Sequence, residues 1–122
     1  MVSLFERVGG GAFFTELVTR FYEGVGGDPV LRPLYPSDLT DAKAHLAAFL
    51  AQYWGGPPTY MEERGHPRLR MRHAPFVIGT LERDAWLRHM SDAVRAAGLA
   101  DEEERELIAY FHMAAESLVN AR

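Results

Sequence analysis

His73 lies in the most basic stretch of the chain. Pro67 and Pro75 bound a short predicted helix here, because proline is tolerated in the first turn of a helix and disfavours helical conformation in the residue before it. Four of the thirteen Lys and Arg residues fall within nine positions beside His73: Arg64, Arg68, Arg70 and Arg72. Arginine binds carboxylates and phosphates, and imidazole binds an electrophilic centre. The stretch therefore indicates an anionic ligand with such a centre, which haem fits; the alternative is a solvated helix face.

Length and composition limit what the chain encodes. With 122 residues we expect one domain, residues 1–122, large enough to bury its own core. The chain has no Cys, which excludes disulfides, thiolate catalysis, iron–sulfur clusters and Cys-based zinc sites. The net charge of −4 argues against nucleic acid as a partner, because non-specific binding to phosphates needs a positive surface.

The N-terminal residues and the hydropathy pattern bear on location. Residues 1–6 show no signal-peptide pattern, and no run approaches the roughly 18 apolar residues of a membrane span. We therefore expect a cytoplasmic protein that does not associate with membranes.

Apolar residues recur every three or four positions along most of the chain, which predicts helices with one buried face. These helices are expected over residues 12–25, 39–53 and 81–97, and from Asp101 onwards. No segment alternates with a period of two over a useful length, so the predicted fold class is all-α.

Polar residues at the predicted helix starts provide caps. Ser3 is a predicted cap for an opening turn of helix. Asp38 or Thr40 is a predicted cap for the helix over 39–53, and Thr80 for the helix over 81–97. Residues 59–66 are predicted to form a loop before the helix that carries His73, and such a connection is often functional.

Several blocks of residues resemble the truncated haemoglobins, and specifically the second group of these two-over-two globins, as found in bacteria. The blocks span nearly the whole chain and include residues 20–22, 30–36, 49–57, 64–76 and 82–87. The resemblance implies a two-over-two helical sandwich of the truncated globin type with haem b (iron protoporphyrin IX) as its cofactor.

The resemblance implies that His73 is the proximal ligand of the haem iron. Its second ring nitrogen then needs an acceptor, for which we expect a backbone carbonyl of the same short helix. Arg72 with Tyr60 resembles the family's clamp on a haem propionate, with Arg68 or Arg70 as helpers. Two further histidines, His66 and His45, could reach the haem edge, whereas His89 and His112 are expected to have no role at the site.

An aromatic trio, Tyr22, Tyr35 and Trp86, matches the family's residues on the opposite side of the haem; the alternative is that these rings only pack the core. Indole and phenol groups can donate hydrogen bonds to bound O2, which carries partial superoxide charge. Each such bond contributes about 1.5–3 kcal/mol, so two would slow O2 release by roughly a hundredfold to ten-thousandfold. Such a protein would transport oxygen poorly. Ala42 and Leu46 donate nothing, and Ala42 leaves an open route to the iron.

Apolar residues on several predicted helices are expected to form the walls of the haem site. They are Leu46, Phe49, Leu50, Met71, Phe76, Ile78, Met90 and Phe111.

The functional hypothesis is reversible binding of O2, and of other diatomic ligands such as NO and CO, at an iron with one protein ligand. The alternative is a haem oxidoreductase, a nitric oxide dioxygenase or peroxidase, which receives electrons from a separate reductase. A third interpretation is a haem-free helical interaction module. The chain is expected to be a monomer or a homodimer.

Overall fold

All regular secondary structure in the computed structural model, which describes residues 2–121, is helical. The α-helices of these residues are α1 (Leu4–Arg7), α2 (Gly11–Gly26), α3 (Thr40–Tyr53), α4 (Thr59–Arg64), α5 (Leu69–His73), α6 (Thr80–Ala96) and α7 (Asp101–Ser117), and a 3₁₀ turn covers Arg32–Leu34. The predicted all-α class is therefore confirmed. None of these helices is long and apolar enough to cross a membrane.

The four long helices pack in two pairs around one core. Helix α2 packs on α3, α6 packs on α7, and the pairs meet where α2 contacts α6. This is the two-over-two sandwich expected from the resemblance. Large side chains from all four long helices are fully buried at the centre: Phe14, Phe21, Leu50, Met90 and Phe111.

The helix starts follow the predicted caps only in part. Helix α3 begins at Thr40 with Leu39 as its N-cap, so neither Asp38 nor Thr40 caps it, although the Asp38 carboxylate accepts the Thr40 amide at 2.9 Å. The Ser3 hydroxyl accepts a hydrogen bond from the Glu6 amide at 3.2 Å, as predicted. Helix α6 is capped by Gly79 and not by Thr80, which is the first helical residue. The Glu82 carboxylate accepts the Gly79 amide at 2.7 Å and thereby satisfies this helix end.

The predicted loop over 59–66 is wrong in its first part, because residues 59–64 form helix α4. Long-range contacts stabilise this short helix. The side-chain carbonyl of Gln52 accepts the Met61 amide at 2.9 Å, and the buried Tyr60 ring packs edge-on against Phe49 with 5.5 Å between ring centroids. Neither contact has a local sequence signal.

The segment between α2 and α3 is held by two charged side chains. The Asp28 carboxylate accepts the amides of Val30 and Leu31 at 2.8 and 3.2 Å. The Arg32 guanidinium donates to the carbonyl oxygens of the next three non-helical residues, Tyr35, Pro36 and Ser37, at 2.9 to 3.2 Å. These hydrogen bonds fix the path of the chain that presents Tyr35 to the interior.

Candidate functional site

A cavity of about 300 Å³ lies between the helix pairs, α5 and the turn before α3. Its volume is at the lower end of the range for small-molecule sites in proteins. The apolar lining consists of Leu31, Leu34, Pro36, Leu46, Phe49, Leu50, Leu69, Phe76, Ile78, Phe111, Ala114, Ala115 and Leu118. The side chains with polar atoms are Tyr22, Tyr35, His73, Glu82, Arg83, Trp86 and Tyr110. The cavity is therefore apolar with a few polar groups, which is typical of a cofactor site.

His73 lines the cavity from the last turn of α5. Its Nδ1 atom lies 2.7 Å from the carbonyl oxygen of Leu69, four residues earlier in the same helix. A carbonyl can only accept a hydrogen bond, so Nδ1 carries the proton and the neutral ring keeps a lone pair on Nε2. The predicted backbone acceptor is confirmed, and the imidazole is in the tautomer that ligates a metal through Nε2.

The segment that follows His73 is tied to the end of the chain by Asn120. The Asn120 side-chain amide donates to the Phe76 carbonyl at 2.9 Å, and its side-chain oxygen accepts the Ile78 amide at 2.9 Å. The backbone amides of Asn120 and Ala121 both donate to the Ile78 carbonyl, at 2.9 and 3.1 Å. Helix α5 has only five residues, so its position depends on such contacts more than on its own hydrogen bonds.

The predicted aromatic trio comes together in the cavity wall. The Tyr22 and Tyr35 rings meet edge-on with 5.5 Å between centroids. Trp86 packs between Phe21 and Phe111, with centroid distances of 5.2 and 5.7 Å. These rings pack against the core and also line the cavity.

Both tyrosines of the trio remain protonated at neutral pH. Burial raises the pKa of Tyr35 to about 12, and a hydrogen bond with Trp86 opposes this effect. Burial, and then the neighbouring Tyr35, raise the pKa of Tyr22 further. Each phenol therefore keeps an O–H group that can donate a hydrogen bond, and the Trp86 indole can only donate.

Arg72 and Tyr60 lie together as predicted, but neither lines the cavity. The Arg72 guanidinium carbon lies 6.0 Å from the centroid of the Tyr60 ring. Its Nε and Nη2 atoms donate to the carbonyls of Pro67 and Arg64 at 2.7 and 2.9 Å, and Nη1 has no hydrogen-bond partner among residues 2–121. One donor pair of Arg72 is thus free for an anionic group.

The other basic residues of this stretch lie farther out. Arg68 and Arg70 are exposed and line no part of the cavity. The Arg64 guanidinium donates to Nε2 of the His45 ring at 3.2 Å, and it also lies over the Tyr60 ring. His66 is exposed, and neither it nor His45 lines the cavity.

Six of the eight predicted apolar wall residues line the cavity: Leu46, Phe49, Leu50, Phe76, Ile78 and Phe111. Met71 does not, and its side chain is 60% exposed. Two residues before His73, it lies roughly 200° around the helix from the imidazole. Met90 does not line the cavity either; it is buried in the core one turn beyond Trp86. Ala42, expected beside the ligand route, packs against the core.

Sequence reasoning missed several lining residues. Leu69 lies four residues before His73 and therefore on the same helix face, so helical spacing could have found it. The same spacing from Phe111 leads to Ala114, Ala115 and Leu118 on α7. Leu31, Leu34 and Pro36 belong to an irregular segment, where periodicity gives no signal.

Neither His89 nor His112 lines the cavity, but His89 makes a contact that the sequence did not indicate. Its Nε2 donates to the buried Asp28 carboxylate at 2.6 Å, whereas His112 is exposed as expected. The partners are 61 residues apart in the sequence, so no local pattern indicated the contact.

Comparison with known proteins identifies the family. A sequence model of the family described as bacterial-like globin matches residues 3–120. The group 2 truncated hemoglobin YjbI of Bacillus subtilis is 45% identical over 111 residues, covering 91% of this chain and 84% of that protein. The chain belongs to the group 2 truncated haemoglobins of the bacterial-like globin family.

Solved structures agree with this assignment. This globin superposes on a thermostable hemoglobin from the actinobacterium Thermobifida fusca with a TM-score of 0.96 and 54% identity, covering 98% of each chain. It superposes on the truncated oxygen-avid haemoglobin from Bacillus subtilis with a TM-score of 0.92 and 43% identity, covering 98% of this chain and all of that one.

Membership of the family makes this globin a haem protein that binds diatomic gases such as O2. The residues present fit the cofactor. His73 offers an unprotonated Nε2 to the cavity, the walls are apolar, and Arg72 has an uncommitted donor for a carboxylate.

Proposed function

We propose that this globin binds O2 reversibly, together with NO and CO, at a haem b iron whose only protein ligand is His73, and that it releases O2 slowly. The observation that carries this proposal is that Tyr22, Tyr35 and Trp86 line the same cavity as His73. Haem, when bound, supplies an iron atom that takes a diatomic ligand. The chain supplies the fifth iron ligand and the donors that hold the gas.

The assignment of one protein ligand follows from the lining of the cavity. All five His residues lie within the described residues 2–121, and of these five His73 alone lines the cavity. Among the described residues no second imidazole lines the cavity, so His73 would be the protein ligand of the iron and a gas would find no competing histidine. Leu46, the lining residue of α3 nearest in sequence to Ala42, has no donor to offer.

Slow release follows from the donors at the site. The donors of Tyr22, Tyr35 and Trp86 would stabilise a bound gas that carries partial negative charge, and a hydrogen bond to a charged acceptor contributes about 1.5–3 kcal/mol. The Trp86 indole and one phenol would together slow dissociation roughly a hundredfold to ten-thousandfold. The Bacillus subtilis structure is described as an oxygen-avid haemoglobin, which supports this proposal.

Arg72 is the proposed partner of a haem propionate. Its backbone hydrogen bonds and the Tyr60 ring fix the guanidinium, leaving Nη1 to donate. Arginine is suited to this task because its planar group binds carboxylates at defined geometry.

A second candidate function is haem oxidoreductase activity, either nitric oxide dioxygenation or peroxide reduction, with electrons from a separate reductase. The observation that favours it is the Tyr35 phenol hydrogen-bonded with Trp86, because polar donors at this position also assist O–O chemistry.

Optical spectra separate these functions. We would load the protein with haem b and follow its ferric, ferrous, CO-bound and air-exposed ferrous spectra over time. A stable O2-bound spectrum that reverts to the ferrous one when O2 is removed supports reversible binding. Rapid oxidation to the ferric form, with turnover of NO or peroxide in the presence of a reductant, supports the oxidoreductase. Absence of a Soret band contradicts both.

A further inference from the structure

A buried carboxylate outside the cavity accepts hydrogen bonds from four donors. Asp28 is only 4% exposed. Its Oδ1 accepts the amides of Val30 and Leu31, and its Oδ2 accepts Arg88 at 3.0 Å and His89 at 2.6 Å. The hydrogen bond from His89, and then that from the Val30 amide, hold the pKa of this carboxyl below its ordinary value. The group is therefore a buried charge that is fully paired.

The Asp28 cluster joins two elements that each present a residue to the cavity. His89 lies on α6, three residues and about one turn after Trp86. Asp28 begins the segment that leads to Tyr35, and its own carbonyl accepts the Arg32 amide at 2.9 Å. Arg32 in turn donates to the Tyr35 carbonyl. Hydrogen bonds thus connect His89 to Asp28, Asp28 to Arg32, and Arg32 to the backbone of Tyr35, with different atoms of Asp28 and Arg32 used at each step.

The His89 ring is also confined from the other side. A Cβ atom on Gly24 of α2 would collide with Nδ1 of His89. The ring therefore packs closely against α2 at Gly24, which limits its freedom to leave Asp28. The absence of a side chain at Gly24 is what allows the His89 ring to lie this close to α2.

We propose that the Asp28–His89 pair is a positioning device that sets the separation of the Tyr35 phenol from the Trp86 indole and thereby the rate at which O2 is released. This inference rests on the proposed function. Neither residue touches the cavity, so both act through the elements that they hold. Arg88 adds a second contact to Oδ2, but its side chain is 62% exposed, and such a pair contributes less.

The test uses variants that remove the Asp28–His89 hydrogen bond and keep the contacts of Asp28 with the Val30 and Leu31 amides. His89→Leu removes the donor to Asp28, and His89→Gln keeps an N–H donor on a side chain of similar reach. Asp28→Asn keeps an acceptor for the Val30 and Leu31 amides but removes the charge that holds His89. His112→Leu is the matched control, because His112 is exposed on α7.

The first readout is the indole ¹H–¹⁵N cross-peak of Trp86, recorded on the reduced protein saturated with CO so that any haem iron is diamagnetic. The chain has two tryptophans, so Trp86→Phe assigns the peaks. We expect His89→Leu and Asp28→Asn to shift the Trp86 peak and leave the Trp54 peak in place.

The second readout is the rate of O2 dissociation. We expect this rate to rise about fivefold in His89→Leu and Asp28→Asn, while His89→Gln and His112→Leu stay within about twofold of the unmodified protein.

Each outcome decides between positioning and a structural role alone. If His89→Leu lowers the urea midpoint but leaves the Trp86 peak and the dissociation rate unchanged, the pair only stabilises the fold and the inference is overturned. Should His89→Leu fail to fold, Asp28→Asn and His89→Gln give the same comparison. If Trp86→Phe itself leaves O2 release unchanged, the proposed function fails, while the Trp86 cross-peak still reports whether His89 positions that ring.

Discussion

The Nδ1 atom of His73 and the carbonyl oxygen of Leu69 are 2.7 Å apart, one turn of α5 from each other. This contact fixes both the tautomer and the orientation of the imidazole, because the carbonyl accepts the only ring proton of the neutral side chain. Leu69 itself lines the cavity beside His73. The helix therefore fixes the orientation of the proposed iron ligand through its own backbone.

Replacement of His73 by Ala removes the proposed iron ligand. We expect the variant to retain haem weakly and to show a Soret band displaced from that of the unmodified protein, while its far-ultraviolet circular dichroism is unchanged. His66→Ala is the matched control, since His66 is exposed in the same basic stretch and lines no part of the cavity. A native spectrum with full occupancy in His73→Ala would contradict the ligand assignment.

Removal of the Asn120 side chain frees the segment between α5 and α6. Asn120→Ala loses the hydrogen bonds to Phe76 and Ile78, each with a net contribution of about 1 kcal/mol. We expect faster haem loss to apomyoglobin and a shifted iron–histidine stretching band in the resonance Raman spectrum of the ferrous protein. Asn120→Asp keeps the acceptor for the Ile78 amide and should therefore retain haem better than Asn120→Ala. An unchanged stretching band in Asn120→Ala would show that Asn120 stabilises the fold without affecting the position of His73.

The buried phenol of Tyr35 predicts a loss of stability at high pH. Its pKa is about 12 in the folded protein against 10.0 for the free side chain. Because the unfolded chain gives up this proton first, the stabilisation is fully present below pH 10 and is lost progressively as the pH rises to about 12. We expect the free energy of unfolding in urea to fall less between pH 9 and 11 for Tyr35→Phe than for the unmodified protein. Equal slopes for both proteins would contradict the burial of this hydroxyl.

Helical periodicity predicted the long elements and part of the apolar wall, because the buried face of a helix repeats every three or four residues. It placed Leu46, Phe49 and Leu50 correctly on one face of α3. It failed for Met71, because α5 is too short for a periodic pattern to define its buried face. There the face is defined by His73 itself, and Leu69 shares that face.

Contacts between distant residues were beyond sequence reasoning. The Asp28 carboxylate accepts the Val30 and Leu31 amides through one oxygen, and these contacts are local in the sequence. Its second oxygen is bound by His89, 61 positions later, and nothing in either local sequence indicates that pairing. Asn120 is a similar case, because it acts on the segment after His73 from near the end of the chain.

The O2 dissociation rate of Trp86→Phe, measured by stopped flow on the haem-loaded protein, tests the central claim most directly. Phenylalanine keeps the aromatic packing against Phe21 and Phe111 but removes the indole N–H donor. Trp54→Phe is the control, because Trp54 is buried in the core and does not line the cavity. We predict that Trp86→Phe releases O2 at least about tenfold faster, and that Trp54→Phe stays close to the unmodified protein. Dissociation at the unmodified rate in Trp86→Phe would contradict the proposal that a Trp86 hydrogen bond holds O2.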